Sequence, residues 1–322
     1  MEQSDNNTAL PAGEQDELSR LRRSIDAVDE KIAEMLVQRA RLAKAVGAAK
    51  GGVNVYRPER EQAVIAHALE RSSQAGSPLS AESVRRIYTE IISACRALES
   101  RPSVAFLGPK GTFTEMAVIA QFGSSVDMMP CASIDGAFHA AESHTAQYAV
   151  VPVENSTQGT VTRTMDLLLS TALVVIGEVN IAVRHNLMNR SGRIEDVEEV
   201  CAHPQALAQC RSWLAAHLPN AKITSAASNA EAAVLASKNV KLAAIAATRA
   251  AELYDLKILA QSIQDNPRNT TRFWVLGTQT AGKAPDVLTK TAIIFSVPNR
   301  AGTLFKALEP FERNGVSMTR LE

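Results

Sequence analysis

In the stretch EMLVQRARLAKAVGAAK (residues 34–50), an arginine stands where an apolar residue belongs. Leu18, Leu21, Ile25, Val28, Ile32, Met35, Leu42 and Val46 recur at three- and four-residue steps around it, the seam of an amphipathic helix. Arg39 falls in that seam, where a guanidinium costs several kcal/mol unless an anion meets it. Lys50 lies eleven residues on and, at 100° per residue, within about 20° of the same face. Arg22 points roughly 100° away from Arg39, so it serves that site more easily from a partner's helix than from its own. Arg60 and Glu61 open a second helix and Glu99 follows a third. Taken singly, Arg39 could control register and the other cations could be solvated. Together they make a cationic pocket inside a helical bundle, suited to an anionic small molecule.

A second set of polar groups lies further on. GPKGTFTEMA (108–117) is a strand-to-helix turn whose backbone amides could face an anion. Its spacing is not G-x-G-x-x-G, which argues against a dinucleotide site. Glu154, Asn155 and Ser156 end an apolar strand, at the edge where α/β proteins bind ligands. His203, Gln205 and Gln209 stand at a helix start, and Thr271 and Arg272 precede an apolar run that begins at Phe273. Each could be a cap or a loop by itself.

The elements that must position these groups fall into three zones. Residues 17–50 read as one helix about 50 Å long, stopped by Gly51-Gly52. Pro58 suits the first turn of a second helix to about residue 73, and Ser80 can cap a third. The long helix cannot bury its seam against two shorter ones, so an intertwined homodimer is expected. From Ser103 short apolar runs (SVAFLG, YAVVPV, ALVVIGEVNIAV, VEEVCA, AAIAA, RFWVLG) alternate with helical stretches at 114–122, 133–142, 204–217 and 228–238. That alternation is an α/β sheet pattern. A polar linker, 279–288, leads to a last zone with a strand (KTAIIFSV), a helix (AGTLFKALEPFERNG) and the start of another strand.

Composition excludes little but excludes it firmly. Of 322 residues 46% are hydrophobic, and 34 basic side chains balance 34 acidic ones. No charge field favours nucleic acid or an anionic membrane, and no run approaches a membrane span. Cys95, Cys131, Cys201 and Cys210 lack C-x-x-C spacing and read as reduced thiols of a cytoplasmic protein. Residues 1–16, polar and acidic, are expected to be a disordered tail.

The segment LRRSIDAVDEKIAEMLVQRARLAKAVGAAK with YRPERE resembles the all-helical chorismate mutases, in particular the mutase domain (17–101) of bifunctional P-proteins. That resemblance implies chorismate binding by Arg22 of the partner protomer and by Arg39, Lys50, Arg57, Arg60, Glu61 and Glu99. Arg57 stands where some members carry aspartate, and Cys95 where some carry serine. The implied reaction, chorismate to prephenate, is pericyclic and needs neither nucleophile nor cofactor. The enzyme must hold a dicarboxylate folded and stabilise charge on the ether oxygen, for which Lys50 and Glu99 are the candidates.

The four polar segments of the second set, in this order, resemble prephenate dehydratases over 103–278. The resemblance implies two α/β lobes like those of a periplasmic binding protein, lobe one at about 103–177 plus 263–278. It makes Thr271, in the TRF triplet with Arg272 and Phe273, the essential hydroxyl in converting prephenate to phenylpyruvate. Glu154, Asn155, Ser156, His203, Gln205, Gln209, Arg272 and Phe273 would then line the prephenate site. Finally, residues 289–322 resemble the opening of an ACT domain, the phenylalanine-sensing module of P-proteins. Asn299, Gly302 and Leu304 match its first ligand loop, and Glu322 the first residue of an E-S-R-P motif. With two strands and one helix of the full module, the expectation is a truncated domain without a competent L-phenylalanine site, feedback control belonging to the complete protein.

Overall fold

The structure, a computed structural model, describes residues 12–50, 56–279 and 290–321. Two compact units divide after Val287.

The first unit opens with three helices, α1 (Ala12–Lys50), α2 (Pro58–Gln74) and α3 (Ala81–Arg96). Helix α1 starts within the span expected to be disordered. The residue types that open it, AGEQDE, are mostly good helix formers and acidic where the helix dipole favours acid. Pro58 sits in the first turn of α2, and the Ser80 hydroxyl caps α3 by accepting from Ser83 N–H. Along α1 the seam lies bare: Ile25, Val28, Ile32, Met35 and Leu42 are each at least half exposed in the single chain.

Then come β1 (Ser103–Leu107), α4 (Phe113–Phe122), β2 (Asp127–Cys131), α5 (Ile134–Glu142), β3 (Tyr148–Asn155), β4 (Gly159–Thr160), α6 (Thr162–Leu168) and β5 (Val174–Ala182). The chain crosses to β6 (Asn186–Asn189), β7 (Glu199–Ala202), α7 (Pro204–Gln209), α8 (Arg211–His217), β8 (Lys222–Ser225), α9 (Asn229–Lys238), β9 (Leu242–Ala246), α10 (Thr248–Tyr254) and β10 (Lys257–Ala260). It returns as β11 (Thr270–Gly277).

Lobe one is the sheet β2-β1-β3-β11-β5, with β4 beside β3; lobe two is the sheet β10-β6-β9-β7-β8. Lobe one therefore runs to Ala182, a few residues beyond the expected boundary, because β5 pairs along its length with β11. Pro130 is tolerated in β2 because that strand is an edge. The sequence pattern 204–217 predicts one helix, and the structure has two. At the break the Gln209 carbonyl turns to accept from Asp265 N–H, and the Asp265 side chain caps α8 at Ser212. Lobe one packs Val104, Phe106, Phe122, Val150 and Phe273; lobe two is built on small residues such as Ala232, Ala233, Ala236 and Ala244.

In the second unit α11 (Thr303–Arg313) forms where expected, starting beside Gly302 at φ 80°. Neither expected strand does: 290–298 and 316–321 are irregular. A strand requires a neighbour to complete its hydrogen bonds, and among the described residues neither segment has one.

Candidate functional site

The helical pocket is assembled by α3. Arg39 on α1 is half-buried and donates from Nη1 to the Ile91 carbonyl at 3.3 Å. Glu61 on α2 lies close enough for Arg39 to favour its charged form, but burial dominates and raises its carboxyl pKa. Its direct partner is Arg96, at 2.5 Å, a residue sequence reasoning missed. Arg96 is 4% exposed, donates also to the Phe122 carbonyl, and lies over the Tyr56 ring at 5.2 Å. Its signal was available: an arginine beside Cys95 on the inner side of α3.

Glu99 packs against α1 so closely that a Cβ added at Gly47 would stand 2.5 Å from its Cγ. The Glu99 Oε2 is buried without a hydrogen-bond partner among the described residues. Arg39 and Glu61 are thus brought together, and Glu99 meets α1 two turns further on, at Gly47. Arg60 is exposed, and Arg57 is exposed and paired with Glu59 at 2.9 Å. Arg22, exposed, is 17 residues from Arg39, about 25 Å along one helix. The side chain of Lys50 lies outside the described residues.

The second site lies where β3 and β11 end together. Their antiparallel register sets Asn155 opposite Thr271. Asn155 Nδ2 donates to Thr271 Oγ1 at 2.9 Å and to Asn269 Oδ1 at 3.0 Å. Asn155 Oδ1 accepts from the backbone N–H of Thr157 and Gln158. Ser156 Oγ accepts from Thr270 N–H at 2.9 Å and contacts Asn269 Oδ1 at 3.4 Å. From lobe two, Gln209 Oε1 meets Asn269 Nδ2 at 3.3 Å and His185 Nε2 at 2.8 Å. Sequence reasoning did not single out Asn269 or His185. The first precedes TRF by two residues, but the second is an isolated histidine.

A cleft of about 330 Å³ opens beside this row, walled by Thr157, Gln158, Gln205, Gln209, Gln264 and Asn269 among others. Two features hold the lobes across it. Glu115 of α4, 1% exposed, faces Arg249 of α10 at 3.6 Å, and the Tyr254 hydroxyl donates to the Lys110 carbonyl.

Several expected site residues have other duties. His203 caps α7, its Nδ1 accepting from Gln205 N–H. Arg272 is neutralised by Glu154 at 3.0 Å and Glu178 at 3.2 Å, and lies over the Trp274 ring. Phe273 is 1% exposed, packed into the core of lobe one with Phe106, Phe122 and Val275, so it is no ligand contact. In the turn 108–112, Thr112 and Glu115 form a reciprocal cap that takes Glu115 N–H and Gly111 N–H, amides an anion would need. In the second unit Leu304 and Asn299 are on α11 and the exposed segment before it, and Glu322 lies outside the described residues.

All four cysteines are free, as expected; burial pushes the Cys210 thiol up to about 12. Among the described residues no helix is long and apolar enough to cross a membrane, and no cluster of acidic, histidine or cysteine side chains forms a metal site.

Residues 21–100 match the family of chorismate mutase type II, and residues 104–281 that of prephenate dehydratase. The chain is 45% identical over 304 residues to the bifunctional chorismate mutase/prephenate dehydratase of Neisseria gonorrhoeae, 94% of this chain and 83% of that one. A solved prephenate dehydratase from Arthrobacter aurescens, in complex with L-Phe, is 31% identical at a TM-score of 0.58, over 68% of this chain and 74% of that one. A structure described as GqqA, a novel type of quorum quenching acylase, is 29% identical at a TM-score of 0.59, over 68% and 80%. The chain belongs to the family of bifunctional chorismate mutase/prephenate dehydratases.

Proposed function

We propose that the two activities of this chain, chorismate to prephenate and prephenate to phenylpyruvate, run at two separate sites, with Thr271 assisting the second. Prephenate loses its ring hydroxyl as its carboxylate leaves as carbon dioxide. The electron pair of the broken C–C bond enters the ring, and the hydroxyl takes a proton to depart as water. Thr271 donates the hydrogen bond that helps it go. The observation carrying this reading is Asn155 Nδ2 donating to Thr271 Oγ1. A hydroxyl that accepts one hydrogen bond there has its own proton directed elsewhere and polarised as a donor. Threonine is a weak acid, but aromatisation of the product drives the step, so orientation supplies most of what is needed. Gln205 and Gln209 lie on the cleft wall where substrate carboxylates would bind. Arg272, already paired with two carboxylates, is better suited to holding β11 against β5 than to holding substrate.

At the helical site Arg39, Lys50 and Arg60 hold the chorismate carboxylates, and Glu99 and Lys50 address the ether oxygen. The buried unpartnered Glu99 Oε2 supports that assignment. Arg22 enters from a second copy, because 25 Å of helix separates it from Arg39 and the α1 seam is uncovered. A homodimer in the cytoplasm, with L-phenylalanine as an effector, completes the reading.

The test uses the two substrates separately. Arg39→Ala should abolish chorismate rearrangement and leave dehydration of added prephenate intact; Thr271→Val should do the reverse. A folded variant losing both activities would end the two-site reading.

A further inference from the structure

We propose that His185 is a positioning residue of the dehydratase reaction: held as the Nε2–H tautomer, it fixes the Gln209 amide, and through it the row of amides that ends at Thr271. The inference rests on Thr271 being the assisting hydroxyl.

Two backbone amides set the direction of the whole row. The N–H groups of Thr157 and Gln158 are obligate donors, so the Asn155 atom they meet is its oxygen. Asn155 therefore offers Nδ2 to Thr271 and to Asn269, which must answer with Oδ1. Ser156 is compatible with this: its oxygen accepts from Thr270 N–H, and its one proton is within reach of both Asn269 Oδ1 and the Arg268 carbonyl. Asn269 then presents Nδ2 to Gln209, which must present Oε1. The nitrogen of His185 facing that same oxygen, at 2.8 Å, is a donor by elimination.

The consequence at the cleft is specific. With Oε1 held by both Asn269 and His185, the Gln209 Nε2 has no protein partner among the described residues, though it is buried. A free pair of N–H donors on the cleft wall suits a substrate carboxylate. Without His185 the amide is held by one bond and can turn over. Its N–H groups would then face Asn269, whose own reversal would set two donors against each other at Asn155. His185 is built for such a duty: 3% exposed, in the crossing between β5 and β6, its backbone N–H donating to Gln264 Oε1 and its ring edge-on to Phe113 at 5.6 Å. Burial holds its pKa below the usual histidine value.

His185→Phe keeps a ring against Phe113 and removes the donor; His185→Gln restores a donor at similar reach. Loss of one buried hydrogen bond predicts a dehydratase kcat/KM about 10- to 100-fold lower for His185→Phe. The prephenate KM should rise with it, chorismate mutase activity of the same chain should be unchanged, and His185→Gln should recover to within about threefold. Gln209→Met should be at least as impaired as His185→Phe, and the double variant no worse than Gln209→Met. Nitrogen-15 spectra of the unsubstituted protein should show the Nε2–H tautomer, a readout that survives any folding failure of a variant. The proposal is overturned by an Nδ1–H tautomer, by His185→Phe within twofold of the parent, or by His185→Gln as impaired as His185→Phe while mutase activity is intact. If instead Thr271→Val kept its dehydratase activity, the underlying reading of Thr271 would be the one to fall.

Discussion

Arg96 reaches Glu61 at 2.5 Å and, with its other terminal nitrogen, the carbonyl that ends α4 at Phe122. One buried guanidinium thereby ties the helical module to lobe one, against the rings of Tyr56 and Phe122, which in turn pack on Tyr148. Removing one member of a buried pair leaves the other charge uncompensated. Arg96→Met should therefore cost about 3–5 kcal/mol in urea unfolding, and adding Glu61→Gln should recover part of it. The sign of the pH dependence follows. The Glu61 carboxyl is already raised by burial, with Arg96 opposing. Without Arg96 it rises further, so the stability it contributes is present at acid pH and lost as pH climbs through the folded value. The deficit of Arg96→Met should shrink as pH falls. A deficit that grew towards acid pH would contradict the pairing.

Gly47 gives a test of Glu99 that stability cannot confuse. The Cβ of Gly47→Ala would enter the space of the Glu99 Cγ, displacing the carboxyl, while helix propensity would improve by up to about 1 kcal/mol. The expected outcome is a mutase severely reduced, a dehydratase untouched and a melting temperature no lower. An unimpaired mutase would remove Glu99 from the ether oxygen.

The sequence legible in periods was read well, and the parts set by tertiary partners were not. Apolar seams gave α1, α2 and α3, and runs such as YAVVPV and RFWVLG gave β3 and β11. The strands β6 and β10 escaped because Asn186, Asn189 and Lys257 interrupt their apolar pattern; pairing within lobe two makes them strands. At the site, Thr271, Asn155 and Gln209 are brought together as their motifs imply. Phe273 and His203 share those motifs but serve the core and a cap, and motif adjacency carries no information on which face a side chain takes. Asn269, His185 and Arg96 were invisible for the converse reason: each acquires its meaning from a partner between 24 and 114 residues away.

His185 also predicts an acid limit for the dehydratase unit. Burial depresses its pKa in the folded state, so below the unfolded value, about 6.5, the unfolded chain binds a proton the folded chain does not. Stability should be fully present above that pH and decline as pH falls towards the folded value. His185→Gln should flatten this segment of the stability profile. A variant profile parallel to the parent's between pH 7 and 5 would count against the assignment.

Covering the α1 seam should be what creates the mutase site. Ile32, 50% exposed, stands mid-helix among Val28, Met35 and Leu36. Ile32→Glu would place a charge in the buried seam of a dimer but in water on a monomer. Sedimentation should then report a monomer, with mutase activity lost because Arg22 no longer arrives from a partner, and prephenate dehydration retained. A monomer with full mutase activity would show that the site needs no second copy.

The last prediction concerns L-phenylalanine. The segment 290–298 carries Ile293, Ile294 and Phe295, all substantially exposed, with no strand alongside among the described residues. Helix α11 leaves Phe305 72% exposed, and among the described residues no sheet covers it. A ligand loop around Asn299, Gly302 and Leu304 needs both to be held, since a pocket assembled on binding spends its affinity on ordering. Calorimetry on this 322-residue chain should therefore find L-phenylalanine binding weak or undetectable, and the amino acid should inhibit the dehydratase little. Limited proteolysis should cut beyond residue 288 before it cuts either lobe. Tight, saturable binding of L-phenylalanine would mean that these residues assemble a working site, and the expectation that they do not would have to be abandoned.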